Sequence, residues 1–350
     1  MNPKERVLSV LNNETPDKVP VTCFTQVGIV EAMEKLGCAW PESHNDPAKM
    51  AQLGTSLNKL AGLETARIPF CLTVEAEALG CKVEMGRIDR QPSIRQPAFQ
   101  STGELSIPSN FVEKGRIPVV LEATRILKKE NPGLPVIVGI TGPFTLSGHL
   151  VEIERLVKLM RQKPTEVEDV LDKVTDACSM YAHEIDEVGA DIIVVNDPSA
   201  APELIDPLAF KSTIKPRLKF LAQSIKAKKV LHICGASTPI ISDMSDSGFD
   251  AISVEDKVDL AKAKELVKVG GKSMMVAGRM MTTQTRVVKV AGNVSTAKTL
   301  FTGKPEEVKS EARKALAAGT DLLAPACGIA PRSPLVNIKA LVEARDEYCQ

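Results

Sequence analysis

Aromatic residues are scarce in this 350-residue chain: Phe, Trp and Tyr together make up 3%, with Trp40 the single tryptophan. That scarcity argues against the stacking platforms that bind single-stranded nucleic acid. No surplus of charge compensates for it. Lys plus Arg and Asp plus Glu number 44 each, so no general field draws the chain to nucleic acid or to a membrane surface. Long apolar runs are missing too, and no stretch reaches the length of a membrane span. The N-terminal MNPKERVLSVLNNETPDKVP is charged throughout and lacks the apolar core of a signal peptide. No Gly-x-Gly-x-x-Gly follows an apolar run, which leaves a dinucleotide-binding fold without support.

What is present is ordinary globular composition, with 43% hydrophobic and 25% charged residues and enough length for one large α/β barrel. The eight cysteines are scattered through a large chain with no secretory signal, which suits a reducing cytoplasm better than a disulfide framework. Helix starts are legible. Asn2, Pro3 and Glu5 have capping-box spacing, and Asp46-Pro47 and Asp206-Pro207 repeat the Asp-Pro version. Between helices lie eight short β-branched apolar runs: Val19–Phe24, Arg67–Val74, Pro135–Thr141, Ala190–Asp197, Lys229–Cys234, Phe249–Glu255, Val287–Asn293 and Thr320–Cys327. The stretches Pro164–Gly189, Pro207–Lys226 and Pro305–Gly319 read as amphipathic helices. Eight strand–helix units without a hairpin signal predict one α/β domain over residues 1–350. It is expected to be a single (β/α)8 barrel with an N-terminal helical extension and inserted loops. One insertion, residues 80–116, is rich in Pro, Gln, Ser and Gly and follows the second strand, where it could wall the catalytic face.

The chemistry concentrates in VLHICG, residues 230–235. In a strand, His232 and Cys234 point to one face and Ile233 to the other. Cys327, followed by Gly328, ends the last strand in LLAPACGIAP. Two thiolates and an imidazole suit Zn²⁺ and leave a coordination position open, the pattern of a catalytic metal site. Read from the residues alone, the same cysteines would also serve as packed strand-end thiols.

NPKERVLSVLNNETPDKVPVTCFTQVGIV, IPFCLTVEAEALGC, LHICGASTPIISDM, AGNVSTAKTLFTGKPEEV and LLAPACGIAPRSPLVNIKALVEARDEY together resemble the methylcobamide:coenzyme M methyltransferases of methanogenic archaea, within the uroporphyrinogen decarboxylase superfamily of barrels. The resemblance implies zinc held by His232, Cys234 and Cys327, with Glu255 able to fill the fourth position when substrate is absent; the alternative for Glu255 is a salt-bridged strand-end acid. It also implies transfer of a methyl group from a methylcorrinoid, carried by a corrinoid protein, to the thiol of coenzyme M in the formation of methyl-coenzyme M. Gln26, Asp197 and Asn293 match family positions that could bind the corrinoid or the sulfonate, as could TGPFT at 141–145; each would otherwise cap a helix or tie down a loop. A decarboxylase-like lyase, a zinc methyltransferase acting on another thiol such as homocysteine, and a non-enzymatic corrinoid- or zinc-binding protein are the alternatives.

The chain departs from the family between Val269 and Asn293. There GGKSMMVAGRMMTTQTRVVKVAGNV intervenes with Val-Ala-Gly twice, which bears on where the seventh strand and Asn293 lie. The stretch from Leu266 to Pro305 holds no acid but several Lys and Arg, and Lys272, Arg279 and Arg286 are candidates to steer an acidic corrinoid protein to the barrel mouth.

Overall fold

A computed structural model describes residues 1–269, 273–276, 279–282 and 286–349, with side chains described outside 268–286. Alternation within the apolar runs builds two separate cores. Ile137, Ile192, Val194, Val230, Ala251, Ala291 and Leu322 face one another inside a ring of strands. Their neighbours Val136, Val138, Ile193, Val195, Leu231 and Ile252 face the surrounding helices instead. Seven parallel strands form that ring in the order Ala66–Ile68, Val136–Thr141, Ile192–Asn196, Lys228–His232, Ala251–Ser253, Lys289–Val294 and Leu322–Pro325. Six of the expected runs fall on these strands to within a few residues. Arg67–Val74 is shorter than expected, because Val74–Ala78 already forms a short helix.

The eighth position is taken by residues 20–24, and the chain is a (β/α)8 barrel. The expected strand Val19–Phe24 is reduced to a bridge between Val21 and Leu323. Backbone bonds still join it to the last strand, Thr22 N–H to Leu323 O at 2.8 Å and Leu323 N–H to Pro20 O at 3.0 Å. On the other side one backbone bond remains, Glu64 N–H to Val21 O at 2.8 Å, and side chains supply the rest. Val21 N–H donates to the Glu64 carboxylate at 2.8 Å, Cys23 N–H to Thr65 Oγ1 at 3.4 Å, and Phe24 O accepts from Arg67 Nε at 3.3 Å. Pro20 has no N–H to give. The run therefore closes the barrel without the regular pairing that defines a strand.

The N-terminal extension seals one end. Helix Pro3–Leu11 starts with the full capping box between Asn2 and Glu5. Val7, Val10 and Leu11 enter the inner core, and Lys4 pairs with Asp191 at the start of a barrel strand. The C-terminal ends of the strands are thus left open at the other end. Asp46 and Asp206 cap their helices as the Asp-Pro pattern predicts.

Two hairpins depart from the expected absence of antiparallel pairing. Lys82–Glu84 pairs with Ser93–Gln96 inside the 80–116 insertion. The second insertion is a ribbon in which Lys268–Val269 pairs with Arg286–Val287 and Ser273–Val276 with Arg279–Thr282. The seventh strand lies beyond it at Lys289–Val294, which includes Asn293. The ribbon is rooted between helix Leu260–Leu266 and the start of that strand, at the sealed end of the barrel. Its root is therefore remote from the mouth that the basic run was expected to flank; the side chains of Lys272, Arg279 and Arg286 lie outside the described residues.

Candidate active site

The inward alternation of each strand decides what reaches the open end. Val230 faces the inner core, so His232 two residues later also points inward. It is 1% exposed and lies in register with Asn196 on one side and Ser253 on the other. Ser253 Oγ sits 3.1 Å from His232 Nδ1, which fixes the ring and leaves Nε2 for the cavity. Cys234 follows immediately after the strand. Gly235 at φ 77° then turns the chain sharply, and the Glu203 carboxylate packs against its bare Cα where a Cβ would collide.

Cys327 arrives from the last strand, and the structure brings it to the same point. The Cys234 Sγ is 3.3 Å from His232 Nε2 and 3.6 Å from Cys327 Sγ. All three ligand atoms lie within 4.8 Å of one another. Tetrahedral zinc with bonds of about 2.3 Å to sulfur and about 2.0 Å to nitrogen requires edges of roughly 3.5–3.8 Å between such donors. The cluster fits that shape with little adjustment.

Electrostatics agree with the geometry. The hydrogen bond from Cys234 holds Cys327 as a thiolate, down to about 4, against the opposing effect of burial, and His232 contributes. The same bond, followed by burial, pushes Cys234 well up. The pair thus keeps one proton between two sulfurs, and a second thiolate needs a cation beside it. Glu255 stands next to this pair. It is outside the three-atom cluster, but its carboxyl faces the Cys234 thiol and the Gly235 N–H. Burial, then the charge on Cys327, raises its pKa.

A cavity of about 330 Å³ opens over the cluster. Gln26 lines it, yet its amide is engaged: Nε2 donates to Ile329 O and to Gly28 O at 3.2 Å, and Oε1 accepts from Gly28 N–H. Gln26 therefore pins the loop that follows Cys327. Asp197 and Asn293 do not line the cavity. Asp197 is fully buried and accepts from Phe144 N–H, Thr145 N–H and Thr145 Oγ1 at 3.2, 2.7 and 2.7 Å, capping helix Pro143–Val151. TGPFT supplies the start of that helix. Asn293 Nδ2 donates to the carbonyls of Glu255 and Val258 at 2.9 and 2.8 Å, so it shapes the loop that carries Glu255.

Arg67, Cys71 and Asn196 are among the lining residues that escaped the sequence reading. Arg67 had a signal, a lone cation inside the otherwise apolar segment Ala66–Phe70, where period-two alternation sends it inward. Burial lowers the Arg67 guanidinium to about 10, which leaves it charged at neutral pH. Burial alone would raise Cys71, but Arg116, with Nη1 at 3.4 Å, and then His44 hold it down at about 5. Gln91 of the hairpin insertion also reaches the cavity, and Asp89 beside it pairs with Arg332 of the last loop at 2.8 Å. The insertion is therefore a wall of the site.

The uroporphyrinogen decarboxylase (URO-D) family model matches residues 2–348, and the chain belongs to that family. Within it, the chain is 42% identical to methylcobamide:CoM methyltransferase MtaA of Methanosarcina barkeri, over 99% of this chain and 98% of the relative. It is 33% identical to methylcobamide:CoM methyltransferase MtbA of Methanosarcina mazei over the same shares. A solved methyltransferase from Methanosarcina mazei superposes with a TM-score of 0.92 at 41% identity, covering all of both chains. The protein is a methyltransferase of this branch.

Proposed function

We propose that the chain is a zinc-dependent methylcobamide:coenzyme M methyltransferase, taking its methyl group from a methylcorrinoid presented by a corrinoid protein. The observation that carries this reading is the His232, Cys234 and Cys327 cluster at the floor of a small cavity at the open end of the barrel. The names of the full-length relatives support the methyl donor and acceptor. We further propose that residues 1–350 act as one domain. The eight unpaired cysteines support a cytoplasmic setting, and among the described residues no helix is long and apolar enough to cross a membrane.

His232, Cys234 and Cys327 would hold the zinc, which supplies the positive charge that ionises and orients a thiol. Ser253 fixes the His232 ring, and Gln26 fixes the loop behind Cys327. Glu255 offers a carboxylate beside Cys234 that can occupy the fourth position at rest and withdraw when a thiol arrives. Phe70 and Leu72 form apolar walls that limit water around the sulfur. A corrin ring is far larger than a cavity of about 330 Å³, so the donor is presented at the mouth while the thiol sits within. The thiolate sulfur attacks the methyl carbon, a C–S bond forms, and the Co–C bond breaks with its electron pair left on cobalt, which passes from Co(III) to Co(I). The thiol proton leaves to solvent.

The test is transfer from methylcobalamin to coenzyme M with zinc-loaded and zinc-stripped protein. Methyl-coenzyme M formation that requires zinc supports the reading, and zinc-independent transfer or none refutes it.

A further inference from the structure

A thiol with a charged tail would meet two kinds of group in this cavity: the soft donors His232, Cys234 and Cys327, and the guanidinium of Arg67. Arg67 is 2% exposed and extends inward from strand Ala66–Ile68. Its Nε donates to Phe24 O at 3.3 Å, but its Nη1 is buried with no acceptor. Among the described residues no carboxylate forms an ion pair with it. Glu75 is close enough to act on it through charge, yet the Glu75 oxygens accept from Thr141 N–H at 2.7 Å and Thr141 Oγ1 at 2.9 Å. Gly139 on the neighbouring strand clears space for the guanidinium, because a Cβ there would collide with Nη2 and Cζ. A buried cation with a free donor is costly unless an anion completes it, and the planar fork of arginine matches an oxyanion.

We propose that Arg67 binds the terminal oxyanion of the thiol substrate and so makes the enzyme select a short thiol with a sulfonate at its far end over a neutral one. This rests on the proposed function and adds the residue that recognises the charged end. Arg67 positions the substrate between a cation and the zinc ligands, and the cavity length then limits the chain between sulfur and anion.

Ethanesulfonate, which has no thiol, separates the two halves of the site. Calorimetric titration with zinc-loaded and zinc-stripped protein should show binding in both. Arg67→Gln should weaken it roughly 10- to 100-fold, the range for a lost charged hydrogen bond. Arg67→Lys should restore part of it, and zinc content should stay at the wild-type level in both variants. The KM for coenzyme M should rise with the loss of ethanesulfonate binding, while that for 2-mercaptoethanol should not. If Arg67→Gln does not fold, Gly139→Ala, which displaces the guanidinium without removing it, should weaken ethanesulfonate in the same way. Ethanesulfonate affinity unchanged in these variants, or absent in the wild type, overturns the assignment even where methyl transfer is intact. Arg67-dependent ethanesulfonate binding without coenzyme M methylation would instead uphold Arg67 and refute the proposed function.

Discussion

Cys234 Sγ and Cys327 Sγ stand 3.6 Å apart although 93 residues separate them in the chain. The barrel makes this contact by ending two inward-facing strand runs at the same open mouth. Their proximity has a consequence for metal uptake. Cys327 is held as a thiolate at neutral pH and Cys234 keeps its proton. Zinc binding near pH 7 should therefore release about one proton, where two free thiols would release about two. Titrations in buffers of different ionisation enthalpy measure the number. The sign for pH follows from the pair: Cys327 lies below and Cys234 above the value of a free thiol, so the stabilisation of the metal-free protein is greatest near the free-thiol range, fades as pH falls toward about 4, and falls again at higher pH.

Ser253 acts on the metal through His232. Ser253→Ala removes the partner 3.1 Å from Nδ1 and frees the ring to rotate. Metal competition with a chelator should show zinc affinity reduced about 10-fold or more, the usual scale for a lost partner of a ligating histidine. Unchanged affinity would mean that packing alone orients the ring.

Glu255→Gln should weaken zinc retention in the resting enzyme but still allow coenzyme M to bind and be methylated. Loss of transfer with zinc fully retained would give Glu255 a different task, in catalysis or in placing the substrate. Retention and thiol affinity both equal to wild type would return it to the ordinary strand-end acids.

The barrel seam depends on Glu64. Its carboxylate joins Arg6 of the first helix, Arg345 of the last and Val21 N–H of the closing segment, and all three side chains are buried. Glu64→Gln removes one of the two carboxylates that each buried guanidinium meets, since Arg6 keeps Asp17 and Arg345 keeps Asp346, and should cost about 1.5–3 kcal/mol of stability. Chemical denaturation gives the figure, and a loss below about 1 kcal/mol would show that the seam holds without the carboxylate.

How far the sequence disclosed this molecule depended on whether a local pattern was enough. Seven strands were legible because a buried parallel strand is a continuous apolar run, and His232 and Cys234 followed from period-two alternation. The Val19–Phe24 run was legible as the eighth position but not in its irregular form, since the side chains of Glu64, Thr65 and Arg67, which only the closed barrel brings near, stand in for part of its ladder. Asp197 looked like a cavity residue because it ends a strand, but one residue separates inward from outward there. Asn196 lines the cavity and Asp197 caps a helix. Arg67 was readable in principle as a cation in an apolar run, whereas Cys71 needed Arg116, 45 residues away, to acquire its low pKa.

The central claim, that His232, Cys234 and Cys327 hold one catalytic zinc, is tested most directly by metal content per chain in wild type and in Cys327→Ala. The account predicts about one zinc in the wild type and close to none in the variant, with the circular dichroism of a folded barrel in both and methyl transfer lost with the metal. Full zinc occupancy and turnover in folded Cys327→Ala would contradict it.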